Sequence, residues 1–144
     1  MPSVTTQSKN LENEGPILEV HFLISRELEE KYKKDNIPIP EPVVVKALID
    51  TGASACVIKK EIPEKLGLNP VGATNITTPS SKNHECYQYF MRMVIPSHQI
   101  LVELPFIATP LDGQEISGLI GRDVLKNGIL IYIGYANQFT LSLL

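Results

Sequence analysis

Residues 43 to 54 read Val43-Val44-Val45-Lys46-Ala47-Leu48-Ile49-Asp50-Thr51-Gly52-Ala53-Ser54. The first part is β-branched and almost unbroken in its apolar character, which predicts a buried strand. That strand delivers a carboxylate directly to a hydroxyl residue and a glycine. The apolar strand takes water away from Asp50, Thr51 can hydrogen-bond locally, and Gly52 lets the backbone turn sharply and come close to other groups. Taken alone, Asp50-Thr51-Gly52 is an ordinary strand-ending turn, because short motifs match by chance. The flanks, Leu48-Ile49 before and Ala53-Ser54 after, shift the balance.

Working outward, Ala55-Cys56-Val57-Ile58 is a second apolar stretch, and Glu61 to Gly67 suits a short helix with Pro63 near its start and Gly67 as its stop. Thr74 to Ile95 predicts a hairpin with its tip at Thr78-Pro79-Ser80-Ser81-Lys82-Asn83. On the returning strand Tyr87, Tyr89, Met91, Met93 and Ile95 share one face. Ile100 to Ala108 gives a strand interrupted at Pro105. Gly118-Leu119-Ile120-Gly121 is a short apolar strand between glycines, and Arg122 to Gly128 suits a short helix. Ile129 to Ile133 and Phe139 to Leu143 close the chain as strands. Upstream, Ile17 to Ile24 predicts a strand, Glu27 to Lys34 a solvated loop face, and Ile37-Pro38-Ile39-Pro40-Glu41-Pro42 an extended connection. Residues 1–14 lack periodicity and are expected to form a flexible tail ahead of a single domain at 15–144. The pattern is all-β with one or two short helices.

Composition narrows the function classes. The chain has 144 residues, enough for one domain and not two. Thirteen basic residues stand against 16 acidic ones, a net charge of −3, which argues against nucleic acid as a partner. No apolar run approaches the roughly 18 residues of a membrane helix, so no membrane partner is expected. The N-terminus lacks the apolar core of a signal peptide. Cys56 and Cys86 make neither a disulfide framework nor a metal cluster, and His21, His84 and His98 show no metal-ligand spacing. No metal or cofactor is expected, and the default setting is a reduced, cytoplasmic, soluble domain. Cys56 reads as a buried structural thiol. Ser54 lacks the Gly-x-Ser-x-Gly context of a serine nucleophile.

The second decisive piece is Leu119-Ile120-Gly121-Arg122-Asp123: two apolar residues, a glycine, then a helix start. With Ala47 to Ser54 ahead of it and a hairpin between, the chain resembles the retropepsin-like aspartic proteases, single-domain enzymes that work as dimers. The resemblance covers residues 16 to 144 and is closest to cellular, bacterial members. It implies a closed, barrel-like acid-protease fold and hydrolysis of an extended peptide or protein substrate. It assigns Asp50, Thr51 and Gly52 to catalysis. It places Ala53, Ser54, Thr77, Thr78, Pro79, Ser80 and Ile120 along the substrate, and gives Gly121, Arg122 and Asp123 a supporting role.

The family's chemistry needs two carboxylates, and this chain has one Asp-Thr-Gly. Asp112-Gly113 lacks the middle hydroxyl residue. The resemblance therefore implies a homodimer whose twofold axis passes between two copies of Asp50. Thr51 would hydrogen-bond across that axis, Gly52 would offer its carbonyl to substrate, and the hairpin at Thr77 to His84 would be a closing flap. Three features depart from the viral pattern. Ser54 stands where viral members carry an acidic residue. Arg122 therefore lacks its usual partner, for which Asp123 is expected to compensate. The flap tip has no glycine. The terminal strands, Phe139 to Leu144 and the N-terminal segment, are expected to contribute to the dimer sheet. Two other readings stay open: a non-catalytic peptide-binding or dimerisation module of the same fold, and a β-barrel that binds a small molecule.

Overall fold

A computed structural model describes residues 1–78, 81–96, 99–111 and 115–144, with backbone alone at 77, 78 and 81–84. The ten strands are β1 (Ser3–Gln7), β2 (Ile17–Leu23), β3 (Val43–Ile49), β4 (Val57–Lys59), β5 (Gly72–Thr78), β6 (Ser81–Ile95), β7 (Ile100–Thr109), β8 (Gly118–Ile120), β9 (Gly128–Ile133) and β10 (Gln138–Leu143). The helices are α1 (Leu11–Glu14), α2 (Arg26–Lys34), α3 (Glu61–Lys65) and α4 (Arg122–Leu125).

The larger sheet runs β2-β3-β8-β4-β7-β6-β5, and β2 also pairs with β6. That extra pairing closes six strands into a barrel and leaves β5 outside it as a hairpin partner of β6. Closure removes the exposed edges that an open sheet of these strands would carry. The alternating inner face supplies the core: Val20 and Phe22, Ala47 and Ile49, Ile58, Phe106, Ile120, and Met91, Met93 and Ile95 are all buried. Phe22 meets Phe106 edge to face with ring centroids 5.2 Å apart.

The two strands of the predicted hairpin pair, the closing strands are present, and short helices occupy Glu61–Lys65 and Arg122–Leu125 within the predicted 61–67 and 122–128; the differences have identifiable causes. β3 has only one face in the core, so Val44 is exposed although it sits in an apolar run. β7 continues through Pro105, because the pairing with β4 begins beyond it at Ile107, and the missing N–H costs no bond on that side. Tyr87 shares the parity of Met91 but is exposed, because there β6 is paired with the hairpin strand β5.

Residues 26–34 form a helix, not the loop expected from their charge. Ser25 caps it by accepting from the Leu28 N–H at 3.2 Å. Glu27 and Glu29 lie in its first turn and Lys31, Lys33 and Lys34 in its last, in the sense that favours the helix dipole. Glu29 accepts from the buried Arg92 guanidinium of β6 at 3.1 Å and ties the helix to the barrel.

The N-terminal segment also departs from the flexible tail expected of residues 1–14. β1 pairs antiparallel with β10, from Ser3 with Ser142 to Gln7 with Gln138, and β10 pairs with β9 in a second, three-stranded sheet. Leu11 is fully buried. Its N–H donates to Asn137 Oδ1 at 2.9 Å, and its carbonyl accepts from the Tyr132 hydroxyl at 3.2 Å. Local periodicity could not show this, because the partners lie at the other end of the chain.

If Leu11 anchors the segment, Leu11→Ala will lower unfolding free energy by about 2–5 kcal/mol, the usual cost of emptying a core leucine site. Urea unfolding measures it. A loss under about 0.5 kcal/mol, the range of a surface change, would show that the segment is not docked.

Candidate active site

Asp50 is the first residue beyond β3, where β3 runs parallel to β8. Its N–H donates to the Ile120 carbonyl at 2.9 Å, so the carboxylate leaves the sheet at the point where β8 also ends. The chain then turns on itself. The Gly52 N–H donates to Asp50 Oδ1 at 2.8 Å, and the Ala53 N–H to the Asp50 carbonyl at 3.2 Å. One carboxylate oxygen is therefore held by the loop's own backbone. Asp50 is half-buried, whereas Thr51, Gly52 and Ser54 are exposed.

Gly121 carries the contact that brings the two motifs together. A Cβ there would lie 2.6 Å from both the carbonyl carbon and the oxygen of Ala55, and 3.0 Å from the Ala53 oxygen. Backbone cannot yield at such distances, so any side chain would push the Asp50 loop off the barrel. The Arg122 N–H donates to the Ala53 carbonyl at 2.8 Å, and Arg122 Nη1 donates to the Thr51 carbonyl at 2.7 Å. This corrects the expectation that Asp123 compensates Arg122. The arginine takes a backbone carbonyl of the Asp-Thr-Gly loop, and Asp123 binds elsewhere.

Its partner is Cys56. The Cys56 N–H donates to Asp123 Oδ2 at 3.1 Å and its thiol to Oδ1 at 3.0 Å, while the Gly121 N–H donates to the sulfur at 3.3 Å. Burial pushes the Cys56 thiol far above its ordinary range, and the Asp123 carboxylate adds to this, so the thiol stays protonated and inert as a nucleophile. That agrees with its reading as a structural thiol.

The other expected site residues divide. Ala53 is half-buried within the loop. Ile120, expected along the substrate, is 1% exposed and faces the barrel core, so it offers no surface to a ligand. Strand alternation turns its neighbour Leu119 outward instead. Leu119 is half-buried and stands in register with Leu48, which shares the outward parity of Asp50. Counting by twos back from Asp50 would have found Leu48. Leu48 lines a cleft of about 710 Å³ together with Ile17, Lys46, Glu14, Glu115 and Ile116. Gln7 to Lys9 complete one wall, a role that a tail without structure concealed.

The backbone at Thr77 and Thr78 belongs to β5, whose pairing with β6 shifts register between Ile76 and Thr78. Pro79 and Ser80 of the expected flap tip, His98, and Asp112-Gly113 lie outside the described residues. Among the described residues, no group of His, Cys, Asp and Glu could hold a metal ion, and no helix is long and apolar enough to cross a membrane.

This geometry can be set beside known proteins. A crystal structure of a retropepsin-like aspartic protease from Rickettsia conorii superposes with a TM-score of 0.59 at 15% identity, covering 96% of this chain and 89% of that one. The retroviral protease-like domain of Ddi1 from Leishmania major gives 0.45 at 17% identity, covering 89% of this chain and 94% of its own. No curated protein matches the sequence. The Rickettsia likeness shows that the closed barrel with its hairpin is a retropepsin-like fold. The family model described as aspartyl protease matches residues 39–124, which span both the Asp50 loop and the Gly121 turn. The chain belongs to the aspartyl protease family.

Proposed function

We propose that the protein is an aspartic endopeptidase, active as a homodimer in which each chain supplies Asp50. The observation that carries this reading is the placement of Asp50. It is a carboxylate at the mouth of a closed barrel, on a loop fastened by backbone bonds to the Gly121 turn, in a chain with one Asp-Thr-Gly. A module freed from catalysis would have no need to hold that carboxylate so tightly.

Two carboxylates brought within a few ångströms share one proton and titrate as a pair. The ionised one takes a proton from a bound water, and the protonated one donates to the scissile carbonyl oxygen. The water attacks, a tetrahedral intermediate forms, and the proton passes to the leaving amine as the C–N bond breaks. No covalent intermediate arises. Thr51 sits exposed on the loop tip, where it would bond across the axis, and the exposed Gly52 would present its carbonyl to the substrate backbone. An extended peptide would lie under the β5–β6 hairpin, with side chains entering clefts such as the one lined by Leu48. Ala53, Ser54, Leu119 and the hairpin from Thr77 to Ser80 would form its bed. The two free, buried cysteines fit a reducing compartment, the cytoplasm.

The second copy has a surface to meet. On the outer face of the three-stranded sheet, Ile129 is 52% exposed and Ile131 49%, beside the hydroxyl pairs Ser3–Ser142 and Thr5–Thr140. This face follows directly from α4, which starts at the Gly121 turn, so a partner docked there would lie close to the Asp50 loop. In this reading residues 1–14 belong to the dimerising sheet, and residues 15–144 form the protease domain.

Asp50→Asn should reduce cleavage of unfolded protein by about 10³-fold, within the range for removal of a general acid–base group. Its fold and assembly should stay unchanged by circular dichroism and sedimentation. Equal cleavage by mutant and wild type would end the proposal. The pH profile should be a bell: when both carboxyls are protonated no base remains, and when both are ionised no acid remains. A profile with a single limb would contradict a shared-proton pair.

Ile131→Asp should give a folded monomer that cleaves nothing, while wild-type activity rises faster than linearly with protein concentration at high dilution. A monomeric variant of full activity would dismiss the two-chain site.

A further inference from the structure

We infer that Cys56 and Asp123 form a positioning pair for Asp50, a side-chain clasp that sets where the catalytic loop ends. The kinetic part of this inference rests on the function proposed above, and the structural part does not.

The loop has two fixed ends. Its entry is held by the Asp50 N–H on the Ile120 carbonyl. Its exit is Cys56, one residue before β4. Both ends are attached to the same short segment, 120–123, which turns from β8 into α4. Between them the backbone passes within van der Waals reach of Gly121, leaving no space for a Cβ. A shift of this segment therefore moves Asp50 directly, and the clasp at Cys56 resists such a shift.

Cys56 uses every polar capacity it has there. Its N–H and thiol donate to the two oxygens of one carboxylate, and its sulfur accepts from the Gly121 N–H. Asp123 Oδ1 also accepts from the Val124 N–H at 2.9 Å, which fixes the carboxylate to the start of α4. The residue is fully buried. A side chain that served only packing would need none of these bonds, and valine would replace it without consequence. A bidentate acceptor facing an N–H and an S–H of one residue defines orientation as well as distance. Serine preserves both hydrogen-bonding roles of the side chain, whereas valine preserves the volume and the backbone N–H bond but loses the donor and acceptor of the thiol.

The test compares Cys56→Val, Cys56→Ser and Asp123→Asn with wild type. Turnover is referred to active sites titrated with a peptide bearing a hydroxyl-containing mimic of the tetrahedral intermediate. We expect kcat to fall about 10–100-fold in Cys56→Val and Asp123→Asn, the effect of misplacing a catalytic group by up to about 1 Å. KM should change by less than about threefold, and Cys56→Ser should recover most of the rate. The double variant Cys56→Val with Asp123→Asn should be no slower than the worse single one, since both remove the same clasp.

Amide hydrogen exchange supplies a readout that needs no activity. The Asp50 and Arg122 amides, which join the loop to segment 120–123, should exchange at least about tenfold faster in Cys56→Val and not in Cys56→Ser, while the Phe139 and Leu141 amides of β10 stay unchanged. Unaltered loop exchange in folded Cys56→Val would overturn the inference. So would a variant that is merely less stable, with kcat per titrated site intact. If the wild type cleaves nothing while the loop amides respond as expected, the protease reading fails and the clasp stands.

Discussion

The structure depends on one close approach of backbone to backbone, at Gly121 against the carbonyl of Ala55. Two stretches far apart in the chain must meet there without a side chain between them. Once they do, the parallel pairing of β3 with β8 sets the Asp50 N–H on the Ile120 carbonyl, and Arg122 reaches both Ala53 and Thr51. The Asp50 loop is placed by this crossing. The barrel beneath it supplies rigidity: six strands closed on themselves cannot slide in register without turning their inner residues outward.

That dependence explains which parts were legible in the sequence. The Asp50 loop and the Gly121 turn could be read because backbone chemistry restricts them to few residue types, a glycine where no Cβ fits and an acceptor side chain at a strand end. The hairpin was readable from alternation over Met91, Met93 and Ile95. By contrast, α2 was hidden by its own charge. Its mean polarity resembles a loop, and only Ser25 followed by Leu28 and Tyr32 at helical spacing marks it. The N-terminal strand was hidden more deeply. β1 gains its order from β10 and Leu11 from Asn137 and Tyr132, and no local pattern encodes partners at the opposite end of the chain.

The error at Ile120 is instructive because it concerns one residue of parity. A motif shows that a strand passes the site, but which of two neighbours faces outward depends on the strand's partners. β8 lies between β3 and β4, and its alternation is set by Gly118 and Ile120 facing the core, so Leu119 is left on the side of Leu48 and Asp50. The cleft that Leu48 lines is walled partly by the N-terminal segment. A segment expected to be a flexible tail therefore contributes both to the second sheet and to a wall of that cleft.

The replacements around the loop make sense together rather than singly. Ser54 is exposed and uncharged, and the Arg122 guanidinium takes the Thr51 carbonyl of the loop. Asp123 is then not needed as counter-charge and is free to accept from Cys56 and from Val124. A carboxylate so placed has its hydrogen-bonding demand met by neutral donors, and a thiol becomes a suitable partner because it can donate to the carboxylate and accept from Gly121 at once. Alanine at 56 would leave the buried Gly121 N–H without its sulfur acceptor and remove one of the two donors to Asp123 Oδ1, and an unpaired buried donor costs more than the bond itself contributes. The loop is thus fastened by a different set of bonds from the one its resemblance suggests, while Asp50 is still held at the mouth of the barrel.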